Sequence, residues 1–428
     1  MSKNVVLSEK AGKFESFVEK YLVDEAGVIY SGINAETMRP WHAEDISEKD
    51  EFIPVENYQP WDIMNYEDCG MATGGHLAAM TFRFKVTGDE NTLLRAQRSF
   101  RAIKHIYDIG SQKEEGLFPK IYGGRFTEQV STDQYLYAMK ALMGYLEISP
   151  SADEKKLIGE MIPKMVDYWV KRNYRHDYYN IKQMQWGLAR FLPFLLMAWK
   201  VSGDEKYFRE FKRLNETEKI YLKTPPESRL APFTNGGIPL IDYEKRHGNR
   251  YIIGNFSECA AMDIMSYDEC LRLSGDYTSY WLKSMQMMWR EGKIALTDDG
   301  MEYVKIMYDF ETGKAFPIPE PELIPGETNL NWSYARWLGN ILSPRSCMLA
   351  RVGVNVATWI PEENAMSTVM KILSDISLDD MREIVARDNN NILAAHRFMT
   401  RIFCTAAIVN WLWAYWQARY AGLIDKGN

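Results

Sequence analysis

The chain has 428 residues and a formal net charge of −7, with 46% hydrophobic and 25% charged residues. A chain this apolar is not disordered, and an acidic one without Lys/Arg blocks is poorly suited to gripping nucleic-acid phosphates. The excess lies in the aromatics, 13 Trp, 25 Tyr and 18 Phe, which composition alone does not explain.

The N-terminal segment, MSKNVVLSEKAGKFESF, has no apolar stretch of the kind a secretory leader carries. The cytoplasm is therefore the expected compartment, and the periplasm would require a leader already removed. An amphipathic helix is predicted over about 7–22, followed by an irregular stretch over 23–62. Next come an apolar helix over 67–86 and an amphipathic one over 91–109, joined by Lys85-Val-Thr-Gly-Asp-Glu90. The same phrase returns as Lys200-Val-Ser-Gly-Asp-Glu205, between predicted helices 186–200 and 205–222. It returns again as Arg272-Leu-Ser-Gly-Asp-Tyr277, between 256–273 and 277–291. Glu147-Ile-Ser-Pro-Ser-Ala-Asp153 fills the same slot between 133–147 and 154–172. In the first three phrases the Gly can close one helix in a left-handed conformation, and in all four an Asp or hydroxyl can cap the next. The phrase is thus a tight turn inside a helical hairpin, and its recurrence marks a repeat architecture.

Residues 223–255 are rich in Pro and Gly and are expected to form a long loop. Residues 299–320 alternate around Thr312-Gly313 and predict a β-hairpin. The C-terminal part is expected to add an apolar helix at 331–343, an amphipathic one at 362–388 broken near Ser377, and an apolar one at 393–420. Helices apolar on most sides must be buried on most sides. Six such helices alternating with amphipathic ones predict an all-α (α/α)6 toroid with a small β-hairpin insertion at 299–320, one domain over 1–428. The apolar runs Phe191–Trp199 and Cys404–Trp416 fall short of the ~20 residues that a membrane span needs. Five Cys without a CxxC, and six scattered His without HxxxH, predict neither a disulfide framework nor a metal site. No cofactor is expected.

The links entering the apolar helices are long and those leaving them short, so one face carries the loops. On that face lie Asn65-Tyr-Glu-Asp68, Ser131-Thr-Asp133-Gln134, Gln185-Trp186, Asn255-Phe-Ser-Glu258, Asn329-Leu-Asn-Trp332 and His396-Arg397. Tyr122 and other aromatics sit in the loops themselves. Rings match the apolar face of a sugar, and carboxylates match its hydroxyls, so a small oligosaccharide is the expected partner, with no nucleic acid or membrane. Each side chain also has an ordinary role: Ser131-x-x-Gln134 is a capping box, and Asn65 and Asn255 are positioned as caps.

The pattern resembles the six-hairpin glycosidase superfamily, nearest the unsaturated glucuronyl and rhamnogalacturonyl hydrolases, over about residues 65–290. The segment Ser131-Thr-Asp133-Gln-Tyr-Leu-Tyr-Ala138 looks like the one that carries the family's general acid, and Asp68 occupies the slot of a second Asp one hairpin earlier. His176 and Gln185-Trp186 fit the family's next positions, while Gln183-Met184 stands where those enzymes carry Arg-Gly. The resemblance implies a glycoside hydrolase of oligosaccharides, uronate-containing ones among them, with Asp133 as proton donor. That role needs a raised pKa, which burial and a like charge at Asp68 must supply against the helix N-terminus. Glu258 and Glu67 are spare candidates for the second catalytic group. His176, Trp186, Gln185, Glu258, Trp332, His396, Arg397 and Tyr122 are the expected substrate contacts. The alternatives are a sugar epimerase, with His247 and His396 opposed, a polysaccharide lyase on the same toroid, or a non-catalytic carbohydrate-binding protein.

Overall fold

The computed structural model describes residues 3–47, 58–178, 181–185, 188–217, 246–247, 250–254, 256–275, 278–309, 312, 314–316, 341–386 and 398–424. The helices alternate between two layers. The outer ones are α1 (Lys3–Phe17), α4 (Glu90–Ser111), α6 (Ala152–Lys171), α8 (Glu205–Lys212), α10 (Thr278–Gly292) and α12 (Ala365–Asp375). The inner ones are α3 (Cys69–Thr87), α5 (Thr132–Tyr145), α7 (Leu192–Ser202), α9 (Phe256–Leu273), α11 (Ser346–Trp359) and α13 (Thr405–Tyr420). A short α2 (Pro60–Tyr66) leads into α3. Each inner helix packs on the next, and α13 packs on α3, so the ring closes into an (α/α)6 toroid.

Closure depends on small residues where backbones meet. A Cβ on Gly74 would come within 2.8 Å of the Tyr137 carbonyl oxygen, so α3 and α5 touch without a side chain between them. Elsewhere the aromatics fill the space between layers. Trp411, Tyr415 and Trp416 on α13 are all buried, and Phe14 of α1 meets Trp411 edge-on at 4.7 Å. Such rings each remove roughly 150–250 Å² from water, about 4–6 kcal/mol at 25 cal/mol per Å².

The recurring turns behave as their chemistry demands. Gly88, Gly203 and Gly275 close their helices at φ of 66°, 68° and 69°. Asp89 then accepts from the Asn91 N–H, and Asp204 from the Lys206 N–H. In the fourth slot Ser151 accepts from the Glu154 N–H at 3.2 Å. These turns form the end of the ring opposite the long links.

Small antiparallel sheets decorate the loop-bearing end. Strand β1 (Gly32–Asn34) pairs with β11 (Ile402–Cys404), tying the two ends of the chain together. A hairpin of β2 (Arg175–Tyr178) and β3 (Ile181–Gln185) lies between α6 and α7. The expected hairpin forms from β7 (Lys305–Asp309) and β8 (Lys314–Phe316). It extends a sheet begun by β4 (Arg246–His247) and β5 (Arg250–Gly254), where a loop was expected. Finally β6 (Glu302–Tyr303), β9 (Ile341–Ser343) and β10 (Val385–Ala386) pair in the order β10-β9-β6.

Two predicted helices are displaced. Residues 341–343 are a strand, and the fifth inner helix starts at Ser346, after Pro344. Its run of Val352, Val354 and Val356 carries strand propensity, which burial on all sides overrides. Residues 331–340 lie outside the described residues. The last inner helix starts at Thr405, not 393, because Ile402–Cys404 are committed to pairing with β1. The helix expected over 362–388 ends at Asp375, near the expected break at Ser377, and its second half is absent: residues 377–384 are non-helical, and Val385–Ala386 form β10. No helix among the described residues is long and apolar enough to cross a membrane.

Candidate functional site

Glu67 and Asp68 occupy the corner between α2 and α3. The Asp68 N–H donates to Ser31 Oγ at 2.9 Å, which fixes the backbone there. The Asp68 side chain does not cap α3. Instead its Oδ1 accepts from Gln134 Nε2 at 3.1 Å and lies 3.8 Å from Lys120 Nζ. Glu67 is buried and accepts from both Lys120 and Tyr122. The Asp68 side chain keeps 21% exposure against 7% for Glu67, so Asp68 reaches open space and Glu67 backs it. Burial pushes the Asp68 carboxyl up to about 7; Lys120 opposes this, and the charges of Glu67 and Asp133 add to it.

Asp133 stands in the first turn of α5, partly exposed, close enough for its charge to act on both Asp68 and His176. Its neighbour Gln134 faces α3. The carboxamide donates to Asp68 and accepts from the Met71 N–H at 3.0 Å. The expected capping box is therefore not made: Ser131 offers no side-chain cap, because Gln134 finds both a donor and an acceptor across the helix interface. Asn65 is not a cap either. Its side chain clasps the Trp41 backbone, accepting from N–H at 2.8 Å and donating to C=O at 3.0 Å.

His176 lies on β2, buried, with its ring edge-on to Trp169 at 5.0 Å. Burial pushes it down to about 4 against the pull of Asp177 and Asp133, so the imidazole is neutral near pH 7. It borders a cavity of about 410 Å³ that also takes in Glu128, Tyr168, Arg175 and Gln183. The Gln185 backbone pairs with Arg175, while its side chain and Trp186 lie outside the described residues.

On the far wall Arg345, just before α11, makes a fork. Its Nη1 donates to Glu258 Oε2 at 2.5 Å, and its Nε to Glu383 Oε1 at 2.9 Å. The three-stranded sheet explains the convergence: Arg345 follows β9, Glu383 precedes β10, and Glu302 lies on β6. Glu302 is buried beside Ser257, and burial raises its carboxyl to about 7. Deeper on α9, burial likewise raises Asp263 to about 6, with Arg190 Nη2 at 3.7 Å from its Oδ1. The Arg345 charge also reaches Asp68.

The structure thus gathers Asp68, Asp133, His176 and Glu258 at one end of the ring. Tyr122 is fully buried behind Glu67. Trp332, His396 and Arg397 lie outside the described residues, as does the side chain of His247. Lys120, Arg345, Glu302 and Glu383 have no motif in the sequence; Gln134 lies in the Ser131–Ala138 segment but is legible there only as a cap. Among the described residues no group of three or more His, Cys, Asp or Glu is placed to hold a metal ion. A carboxyl poised near neutrality beside a second carboxylate can give and take a proton within the working pH range.

This architecture is the (α/α)6 toroid, a fold the chain shares with several solved structures. The chain superposes on cellobiose 2-epimerase from Bacillus thermoamylovorans B4167 with a TM-score of 0.58 and 13% identity, over 96% of this chain and 99% of that one. It superposes on an unsaturated glucuronyl hydrolase specific for heparin with a TM-score of 0.55 and 10% identity, over 98% and 97%. D-mannose isomerase follows with a TM-score of 0.53 and 11% identity, over 98% of both chains. At the level of sequence, no protein-family model and no curated protein matches the chain.

Proposed function

We propose that the chain is a carbohydrate-active enzyme, a single catalytic domain that hydrolyses glycosidic bonds of short oligosaccharides, with uronate-ended ones among its substrates. The observation that carries this reading is the Asp68 carboxyl, raised to about 7 beside Asp133. Glycoside cleavage needs one carboxyl that gives a proton and one group that activates water. Sequence resemblance gives the donor role to Asp133; burial beside Glu67 instead favours a proton on Asp68. We assign the resting proton to Asp68 and the second catalytic role to Asp133. Gln134 and Lys120 hold Asp68 in place, and the Arg345 fork presents Glu258 to a sugar hydroxyl. His176, neutral, serves as a hydrogen-bonding partner. On an unsaturated uronide the same proton would go to the enol-ether double bond, and water would add.

The test is turnover on a panel of oligosaccharides, unsaturated uronides included. Asp68→Asn and Asp133→Asn should each lose at least about a thousandfold in kcat while retaining binding, as expected for groups that act in the transition state. Activity left intact in both variants defeats the reading.

A second reading, sugar epimerisation, draws on the likeness to cellobiose 2-epimerase and D-mannose isomerase. There the neutral His176 beside Asp133 would take a proton from carbon. Product mass separates the two, because an epimerase leaves it unchanged.

A further inference from the structure

We propose that the toroid holds a second binding site, for a small neutral saccharide, at the end opposite Asp68 and Asp133. A cavity of about 710 Å³ opens there among the C-terminal turns of α3, α5, α9, α11 and α13. This is within the range of small-molecule sites, roughly 300–1,000 Å³. A buried polar layer separates it from the catalytic end. Arg351 crosses the ring axis there, donating from Nε to Asn410 Oδ1 at 3.3 Å and from Nη2 to Tyr137 OH at 3.4 Å, with its guanidinium 4.5 Å from the Trp413 ring.

The chemistry of the lining selects the ligand class. Every carboxylate in it is already neutralised. Asp268 meets Lys140 Nζ at 2.9 Å and Arg272 Nε at 3.0 Å, Glu269 pairs with Lys140, and Glu147 meets Lys85 at 2.7 Å. The cations also answer the negative ends of the converging helices, so they are part of the framework. Apart from Lys200, exposed to solvent at the rim, what the lining leaves over is neutral. The carboxamides of Asn355, one turn beyond Arg351 on α11, and Gln417 on α13 both face the cavity. They are only 3% and 8% exposed, and neither side chain bonds to a protein group among the described residues. Their polar atoms open onto the cavity, where water or a ligand can satisfy them. Two groups that each donate and accept are complementary to hydroxyls, which do the same. The half-exposed Tyr420 ring at the lip supplies apolar surface for a sugar's carbon face, and the buried Trp413 lies behind it in the cavity wall. A cationic ligand would find no unpaired carboxylate, and an anionic one would find only the exposed, solvated Lys200 at the rim.

The experiment uses Trp413 as a local reporter in the full chain. The protein is labelled with 5-fluorotryptophan, its Trp413 resonance is assigned with Trp413→Phe, and it is titrated with D-glucose and with maltose. The proposal expects a saturable shift of the Trp413 signal. Asn355→Leu and Gln417→Leu should each weaken it about tenfold, the loss of one hydrogen bond. Thr358→Trp, at an exposed position of the rim, should abolish it without touching any buried group. It keeps the test decisive should the buried variants fail to fold. A Trp413 signal that stays flat with both sugars, or shifts alike in wild type and Thr358→Trp, overturns the proposal. Neither outcome bears on catalysis, since hydrolysis is read at the other end of the ring.

Discussion

Gln134 Nε2 donates to Asp68 Oδ1 at 3.1 Å, and this bond joins the start of α5 to the start of α3. Because Asp133 precedes Gln134, the same turn delivers a second carboxylate beside the first. The bond favours the ionised form of Asp68, so removing it favours the proton. Activity that needs protonated Asp68 should decline as pH rises through about 7. In Gln134→Leu the alkaline limb of kcat/KM should move up by about one unit, since a hydrogen bond to a charged acceptor is worth roughly 1.5–3 kcal/mol. A pH–rate profile that keeps its wild-type alkaline limb in Gln134→Leu contradicts this role.

The raised carboxyl also has a consequence for stability. Asp68 has a higher pKa in the folded chain than in the unfolded one, so folding strengthens its hold on the proton. Its favourable contribution is complete below the ordinary carboxylate range and is lost as pH rises from about 4 to about 7. Asp68→Asn should therefore unfold at higher denaturant concentration than wild type at pH 8, by on the order of 1–3 kcal/mol, with little difference at pH 4. Urea melts at the two pH values check this, and a variant less stable than wild type at pH 8 refutes it.

Arg345 spans two carboxylates in a largely buried setting, with its side chain 16% exposed. Arg345→Met leaves Glu258 and Glu383 without their cation and should cost about 3–5 kcal/mol. Arg345→Lys should recover only part of that, because one ammonium cannot reproduce the fork. Equal stability of the Lys variant and wild type would show that charge alone matters there.

Arg351 presents the opposite case. It is 1% exposed, and among the described residues no carboxylate lies within ion-pair distance of it. Burial lowers its pKa. Replacing a buried cation by an apolar chain of similar length removes the desolvation penalty. Arg351→Met should be neutral or more stable by about 1–4 kcal/mol in equilibrium unfolding. A loss of several kcal/mol would mean that its bonds to Asn410 and Tyr137 outweigh desolvation.

Sequence alone carried the hairpin rhythm, because Gly88, Gly203 and Gly275 and the Asp caps after Gly88 and Gly203 encode it locally. It failed where tertiary contacts decide. The pattern of the Val-rich segment after Pro344 predicts no helix, and the segment forms α11 where the ring encloses it. Gln134 reads as half of a capping box, since nothing local reveals that Asp68 stands across the interface. Arg345, Glu383 and Glu302 are distant in sequence and meet only through the β10-β9-β6 sheet, so no spacing could announce them. Asp68 and Asp133 stand out because both sit at predicted helix starts after long links and match the family's pattern, and the structure places both at helix starts.

The most direct measurement is the mass of the products formed from reduced-end-labelled oligosaccharides by wild type, Asp68→Asn and Asp133→Asn. The account predicts that wild type splits the substrate into two smaller fragments with uptake of one water, and that each variant leaves it whole. A wild-type product of unchanged mass, or fragments that persist in both variants, would contradict it.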